Sequence, residues 1–222
     1  MQFIYCKQAG IALLNLNTRE FSHIFKVRRV RVGEILSFRN LVDDTFYTYR
    51  IRYINKKEAT LELEESKIFK IEAKKPLHVG WCIVDPKTIE KTLPFLNELG
   101  VSKISFVYCE FSQRNFKIDL KRINRILINS SEQCGRSSLM KIEILNNLKE
   151  FLSLYPSAKI LDFAKNRMKK GDTCKSFLVG CEGGFSKQER EQMNEKNIIG
   201  LENPMILRSE TAVLYMAVSS TS

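Results

Sequence analysis

The chain has 222 residues, 44% of them hydrophobic, and its 36 lysines and arginines outnumber 25 aspartates and glutamates to give a formal charge of +11. That is enough apolar content to bury a core in one large domain or two small ones. No apolar run approaches the roughly 18 to 20 residues of a membrane span, and the N-terminus lacks a basic segment followed by an apolar stretch and cleavage site, so a soluble cytoplasmic protein without a membrane partner is expected.

The positive charge favours an anionic partner, of which nucleic acid is the commonest, and RNA is the expected one. Residues 1–75 hold 15 Lys/Arg against 9 Asp/Glu, a net of +6, and the longer remainder carries +5. Six cysteines, Cys6, Cys82, Cys109, Cys134, Cys174 and Cys181, are scattered singly, with only two histidines to complete a metal shell. Neither a zinc site nor a disulfide framework is suggested, and no metal is expected.

In chain order, Thr18 is placed to cap a short helix whose Phe21, Ile24 and Phe25 share a face. The densest basic cluster follows at Lys26, Arg28, Arg29 and Arg31, ended by Gly33. Phe46 to Ile54 is aromatic and β-branched with partial alternation, and Ala59 to Leu63 follows the polar turn Asn55-Lys56-Lys57-Glu58, a pattern that predicts a hairpin. The charged stretch from Lys67 to Pro76 holds the candidate linker, so a small β unit is expected over residues 1–70.

The periodicity changes at His78. Val79 to Val84 is a continuous apolar run, as in a strand covered on both faces, and Asp85-Pro86 supplies an N-cap followed by proline at the first helical position. Ile89, Leu93, Leu96 and Leu99 recur at helical spacing; Pro94 should kink this helix and Gly100 should stop it. A strand over Val101–Tyr108, a helix from about Asp119 to Cys134 with Ile123, Leu127, Ser130 and Ser131 inward, a strand over Ile142–Leu145, a helix over Leu148–Leu154 and a strand over Lys159–Phe163 follow. Phe177-Leu178-Val179 reads as a strand, Gly180 to Phe185 as a glycine-rich loop, and Ser186 with Glu189 as a capping box opening a helix. Ile198-Ile199 makes a short last strand and Thr211 to Ser219 a terminal helix. Alternating β and α elements imply an α/β domain with a largely parallel sheet over residues 75–222.

Gly180-x-x-Gly183-Gly184 lets backbone N–H groups approach a ligand, and it would equally serve any tight strand-to-helix turn. Its spacing is wrong for a dinucleotide fingerprint, and the chain has no G-x-x-x-x-G-K-[ST] phosphate loop, which excludes the common nucleotide hydrolases. His23 lies in the β unit and His78 opens a strand, so a serine or cysteine nucleophile lacks its usual partner.

Three ordered segments carry more: Glu132-Gln133-Cys134-Gly135-Arg136, Gly180-Cys181-Glu182-Gly183-Gly184-Phe185-Ser186 with Glu189, and Ile206-Leu207-Arg208-Ser209-Glu210-Thr211-Ala212. Together with His23 to Arg28, Gly33 and Glu98-Leu99-Gly100-Val101, they resemble the signature of the RsmE family of 16S ribosomal RNA (uracil-N3)-methyltransferases over essentially the whole chain. The resemblance implies an α/β fold in which a small N-terminal PUA-like β-barrel precedes a C-terminal SPOUT domain, trefoil-knotted and built on a mostly parallel sheet. It also implies a homodimer acting on 16S rRNA within the small ribosomal subunit. Two departures stand out. Cys181 occupies a place usually held by proline, and Glu202-Asn203-Pro204-Met205 replaces a Leu-Gly-x-Arg run, with Asn203 able to stand in for glycine at positive φ.

The same resemblance implies S-adenosyl-L-methionine as cofactor, bound by Leu161 and Phe163, by Gly180, Glu182, Gly183 and Gly184, by Leu201, Met205, Ile206 and Leu207, and by Thr211 and Ala212. A side chain at the glycines would then occupy ligand space. Arg136 and Arg208 are the candidates for holding either the charge that develops on the uracil or the RNA backbone, with Glu210 as a residue that could orient Arg208 or accept the proton. RNA binding falls to Lys26, Arg28, Arg29, Arg31 and Arg114, which would contact phosphate. Two other readings remain open at this point: ribose 2′-O-methylation on the same fold, and a non-catalytic RNA-binding ribosome-assembly protein.

Overall fold

The computed structural model describes residues 2–17, 21–22, 24, 30–113, 115–169 and 171–221. The chain divides into two units, Met1–Glu72 with Ile128–Leu139, and Ala73–Leu127 with Met140–Ser222. The expected helix capped by Thr18 and most of the basic cluster fall outside the described residues.

In the first unit, strands β1 (Ile4–Tyr5), β2 (Leu13–Asn17), β3 (Ile35–Arg39), β4 (Thr45–Ile54) and β5 (Glu58–Ile68) form one sheet in the order β1-β3-β4-β5-β2. Neighbours are antiparallel except for the parallel β1–β3 pair. The expected hairpin is β4–β5, and its turn is built by Asn55, whose Oδ1 accepts the backbone N–H groups of Lys57 at 2.7 Å and Glu58 at 2.9 Å. Such an Asx turn mimics a backbone turn at little cost. Period-two alternation sends Leu14, Leu16, Phe38, Tyr49, Ile51 and Leu61 into one core. Tyr49 is fully buried, and its hydroxyl donates to Ile11 O and accepts from Gly10 N–H, both at 2.8 Å, so no polar group is left dry.

Arg39 is the unit's unusual core residue. Its guanidinium is buried among the rings of Phe3, Phe46 and Phe69, with centroids 5.1–5.8 Å away, and donates to the carbonyls of Asp44 and Phe69. A weakly hydrated planar cation tolerates aromatic walls far better than an ammonium would.

The second unit carries β6 (Leu77–Cys82), α1 (Pro86–Glu98), β7 (Val101–Val107), β8 (Lys141–Leu145), α3 (Leu148–Leu154), β9 (Lys159–Leu161), β10 (Arg167–Met168), β11 (Ser176–Val179), α4 (Lys187–Glu191), β12 (Ile198–Leu201) and α5 (Ser209–Thr221). Between β7 and β8 runs α2 (Leu120–Cys134), whose second half counts with the first unit. The seven strands lie in the order β10-β12-β9-β11-β6-β7-β8, and every neighbouring pair is parallel. The apolar run before Asp85 contains the interior strand β6, buried on both faces. Asp85 caps α1 by accepting Thr88 N–H, Pro86 begins it, and the helix continues through Pro94 before Gly100 turns the chain at φ +83°. The chain leaves β6 toward β7 and β8 on one side and returns to place β11, β9, β12 and β10 on the other, so the carboxyl ends of the strands on that side form a switch point where ligands collect.

One expectation is corrected here. Cys82 and Cys109 form a disulfide with Cα atoms 5.8 Å apart. Their pairing follows from the parallel alignment of β6 with β7, which sets the end of one strand beside the residues just past the other. Isolated cysteines 27 residues apart carry no local signal of that juxtaposition.

His78 begins a polar chain on the same sheet. Its Nδ1 meets Ser176 Oγ at 2.8 Å and its Nε2 meets Ser105 Oγ at 2.9 Å; Ser105 and Tyr155 both donate to Glu143, and Lys103 pairs with Glu143 at 3.0 Å. Burial, aided by the Lys103 charge, lowers the His78 pKa from 6.5 to about 4. The folded value lies below the unfolded one, so the unfolded chain binds the extra proton between those two values, and stability is full above pH 6.5 and falls as the pH drops toward 4. After discounting for partial exposure, the loss should be on the order of 1–2 kcal/mol. Urea midpoints at pH 7 and pH 5, compared with His78→Gln, test this; parallel shifts in both proteins would contradict it.

Candidate active site

Three loops leave the carboxyl ends of adjacent strands β9, β11 and β12 and enclose a cleft of about 780 Å³. From β9 come Leu161 and the ring of Phe163, 80% exposed. From β11 comes the glycine turn, with Gly180, Glu182, Gly183 and Gly184 all on the cleft wall. From β12 come Leu201, Met205, Ile206, Leu207 and Arg208, with Met205 and Ile206 72% and 82% exposed. Ala212 of α5 closes the floor, whereas Thr211 does not line the cleft.

The glycine turn is shaped by packing within the protein. Gly184 N–H donates to Cys181 O at 2.9 Å, and Gly184 adopts φ +67°, a conformation that favours glycine. A Cβ on Gly183 would press on the side chain of Phe111 at 3.0 Å, and one on Gly180 would stand 3.3 Å from the Gly184 Cα. Gly180 and Gly183 thus let the turn fold closely on itself and on Phe111. The capping box after the turn is present. Ser186 and Glu189 exchange hydrogen bonds, and the second Glu189 oxygen accepts Glu110 N–H at 2.9 Å. Buried Cys181 has its pKa raised, chiefly by desolvation, and its Sγ lies 3.7 Å from Gly184 O.

Asn203 does not take a positive φ; among the described residues only Leu41 and Asp44 do so without being glycine. Its Oδ1 instead accepts Met205 N–H at 2.9 Å, so the run that replaces Leu-Gly-x-Arg turns through a side-chain bond. Ser209, at the start of α5, ties the cleft to the interior. Trp81 Nε1 donates to its Oγ at 2.8 Å, and that hydroxyl donates to Gly180 O at 2.6 Å, all three partners being buried.

The predicted charged residues differ in their surroundings. Arg208 is exposed in the cleft, and its guanidinium makes no hydrogen bond or ion pair among the described residues. Glu210 sits in the first turn of α5, outside the cleft wall, where a carboxylate suits the helix N-terminus. Arg136 belongs to the first unit, follows Gly135 at φ +84°, and is buried, which pulls its pKa down. Arg31 is exposed, and Lys26, Arg28, Arg29 and Arg114 lie outside the described residues. Sequence reasoning missed Asp162, Arg190 and Ser209 as cleft residues. Ser209 stands within a quoted motif and Asp162 lies near the end of the strand expected over Lys159–Phe163, directly after β9, the positions where such residues collect.

Apolar and charged walls thus meet at the carboxyl edge of an all-parallel sheet, where α/β enzymes hold their ligands, and the Arg208 guanidinium is left unengaged there among the described residues. Residues 71–220 match the RNA methyltransferase domain family, and residues 16–64 match the RNA methyltransferase PUA domain. The chain is 42% identical over 221 residues to the ribosomal RNA small subunit methyltransferase E of Helicobacter pylori strain ATCC 700392 / 26695, covering 98% of each. It is 30% identical to the protein of that name from Aquifex aeolicus, covering 96% of each. The crystal structure of ribosomal RNA small subunit methyltransferase E from Neisseria gonorrhoeae, bound to S-adenosyl methionine, superposes with a TM-score of 0.80 at 25% identity, covering 99% of this chain and 96% of that one. The chain belongs to the ribosomal RNA small subunit methyltransferase E family.

Proposed function

We propose that this protein transfers a methyl group from S-adenosyl-L-methionine to N3 of a uridine in the 16S rRNA of the small ribosomal subunit. The observation that carries the reading is the cleft itself, in which two of the three family segments meet at the strand ends. Its surfaces fit the donor. Phe163, Met205 and Ile206 offer apolar area suited to covering a purine, the backbone of Gly180 to Gly184 offers polar groups at close range, and Glu182, Lys165 and Arg167 supply both signs of charge for a zwitterionic tail. When bound, the cofactor supplies an electrophilic methyl on a sulfonium.

The residues of the chain have two tasks, to orient the base and to favour its anion. Uracil N3–H has a pKa of roughly 9 to 10, so at neutral pH only about one molecule in several hundred is the nucleophilic anion unless its charge is met. Arg208, a guanidinium cation with no hydrogen-bond or ion-pair partner among the described residues, is the residue we assign to that charge. Arg136 is assigned on its motif alone as a second cation for the RNA, and Glu210 as the carboxylate nearest Arg208 in sequence. Functional domains over residues 1–70 and 75–222 divide the work: the first grips phosphate through Lys26 to Arg31, and the second carries out methylation and adds Arg114 to that grip.

A homodimer in the cytoplasm is part of the same reading. The central run of helix α5, Ala212 to Val218, is apolar all round, yet Tyr215 and Val218 are exposed on it, a pattern that calls for a covering surface. Small subunits from cells lacking this protein, treated with it and the donor and then digested to nucleosides, should gain 3-methyluridine, and the protein should sediment at twice its 25.8 kDa chain mass. A ribose-methylated product, or none, would overturn the reaction; a monomer would overturn the assembly.

A further inference from the structure

Asp162, the residue after β9, is held from three directions. Its backbone N–H donates to Ile199 O of β12 at 3.0 Å, and its Oδ1 accepts Phe163 N–H at 2.8 Å. The Arg190 guanidinium meets the carboxylate with a two-point fork, Nε to Oδ2 at 2.6 Å and Nη2 to Oδ1 at 3.1 Å. The carboxylate side chain is only 8% exposed. Most surface ion pairs contribute little, but a forked pair with one nearly buried partner fixes both a distance and a plane.

The position of the pair gives that rigidity a use. Arg190 lies in α4, its own N–H donating to the cap residue Ser186, and its Nη2 stands 3.7 Å from where a Cβ on Gly184 would be. The guanidinium therefore lies against the glycine turn while its partner anchors the loop that presents Phe163. Both residues line the cleft, and the link joins two of its three walls.

We propose that the Asp162–Arg190 pair is a positioning brace for the methyl-donor cleft, holding the Phe163 loop and the glycine turn at the separation that grips the adenosyl group. The inference rests on the donor reading given above. It predicts that Arg190→Ala and Asp162→Asn each weaken binding of S-adenosylhomocysteine to the full chain by about tenfold, with Arg190→Lys between them and the unaltered chain because an ammonium keeps the charge and loses the fork. The KM for the donor should rise in step, while kcat at saturating donor falls by less than about threefold, as expected when ground-state and transition-state binding are lost together.

Isothermal calorimetry on the unaltered chain and the three variants, with thermal midpoints measured in parallel, tests this. Tight binding by the unaltered chain and graded loss across the variants supports the brace. Equal binding by all four proteins, or lowered midpoints with unchanged affinity, overturns it and leaves the donor reading standing. No binding by the unaltered chain overturns both. If Arg190→Ala does not fold, Arg190→Lys and Asp162→Asn still separate the outcomes.

Discussion

Replacing Arg208 with alanine should lower the single-turnover rate of small-subunit methylation by about 10²- to 10³-fold, the usual cost of removing one preorganised donor aimed at developing charge. The side chain is exposed in the cleft, and nothing among the described residues competes for its guanidinium. Its removal therefore disturbs no internal hydrogen bond, and the folded chain should be as stable as before. Arg208→Lys should recover only part of the rate, since a point charge lacks the planar fork that can span an oxygen and a neighbouring group. Rates within about threefold of the unaltered chain for Arg208→Ala would remove it from the chemistry.

Ser209→Ala should act in a different way, through the protein's interior. The substitution leaves the Trp81 indole N–H without its acceptor and the Gly180 carbonyl without its donor, in a region sealed from water. Each such buried orphan costs about 1–3 kcal/mol, so a loss of roughly 2–4 kcal/mol in urea unfolding is expected. Because Gly180 opens the glycine turn and Ser209 follows Arg208, affinity for S-adenosylhomocysteine should fall as well. Ser209→Thr keeps the hydroxyl and should restore most of both. A stability change below about 0.5 kcal/mol for the alanine variant would show that the link carries no weight.

Much of the second unit was legible because its elements are punctuated. Asp85-Pro86, Gly100 and the Ser186/Glu189 box are local signals whose chemistry acts within one turn of chain, and each marks an element end in the structure. The hairpin of β4 and β5 was equally clear, since its aromatic run and Asn55 turn are contiguous. Strands β1, β2 and β3 were not foreseen. They are two to five residues long, and the pairing that stabilises Ile4 beside Phe38 reaches across more than thirty residues. The two residues of β10 were missed for the same reason.

The site divides along that line too. The glycine turn and the Ile206 to Arg208 segment could be read as motifs, so the cleft's outline was available in advance. What holds the outline rigid could not be read so: Trp81 meets Ser209 across 128 positions and Asp162 meets Arg190 across 28. Asn203 shows a second limit. Its tolerance of positive φ suggested one way to turn the chain, while its side-chain oxygen supplied another.

The sulfur of Cys181 borders a chamber proposed to handle an alkylating reagent, which would be hazardous for most thiols. Methyl capture needs the thiolate, and burial keeps this group in its protonated, poorly nucleophilic form at neutral pH. The wall can therefore carry a cysteine there without becoming a victim of its own reagent.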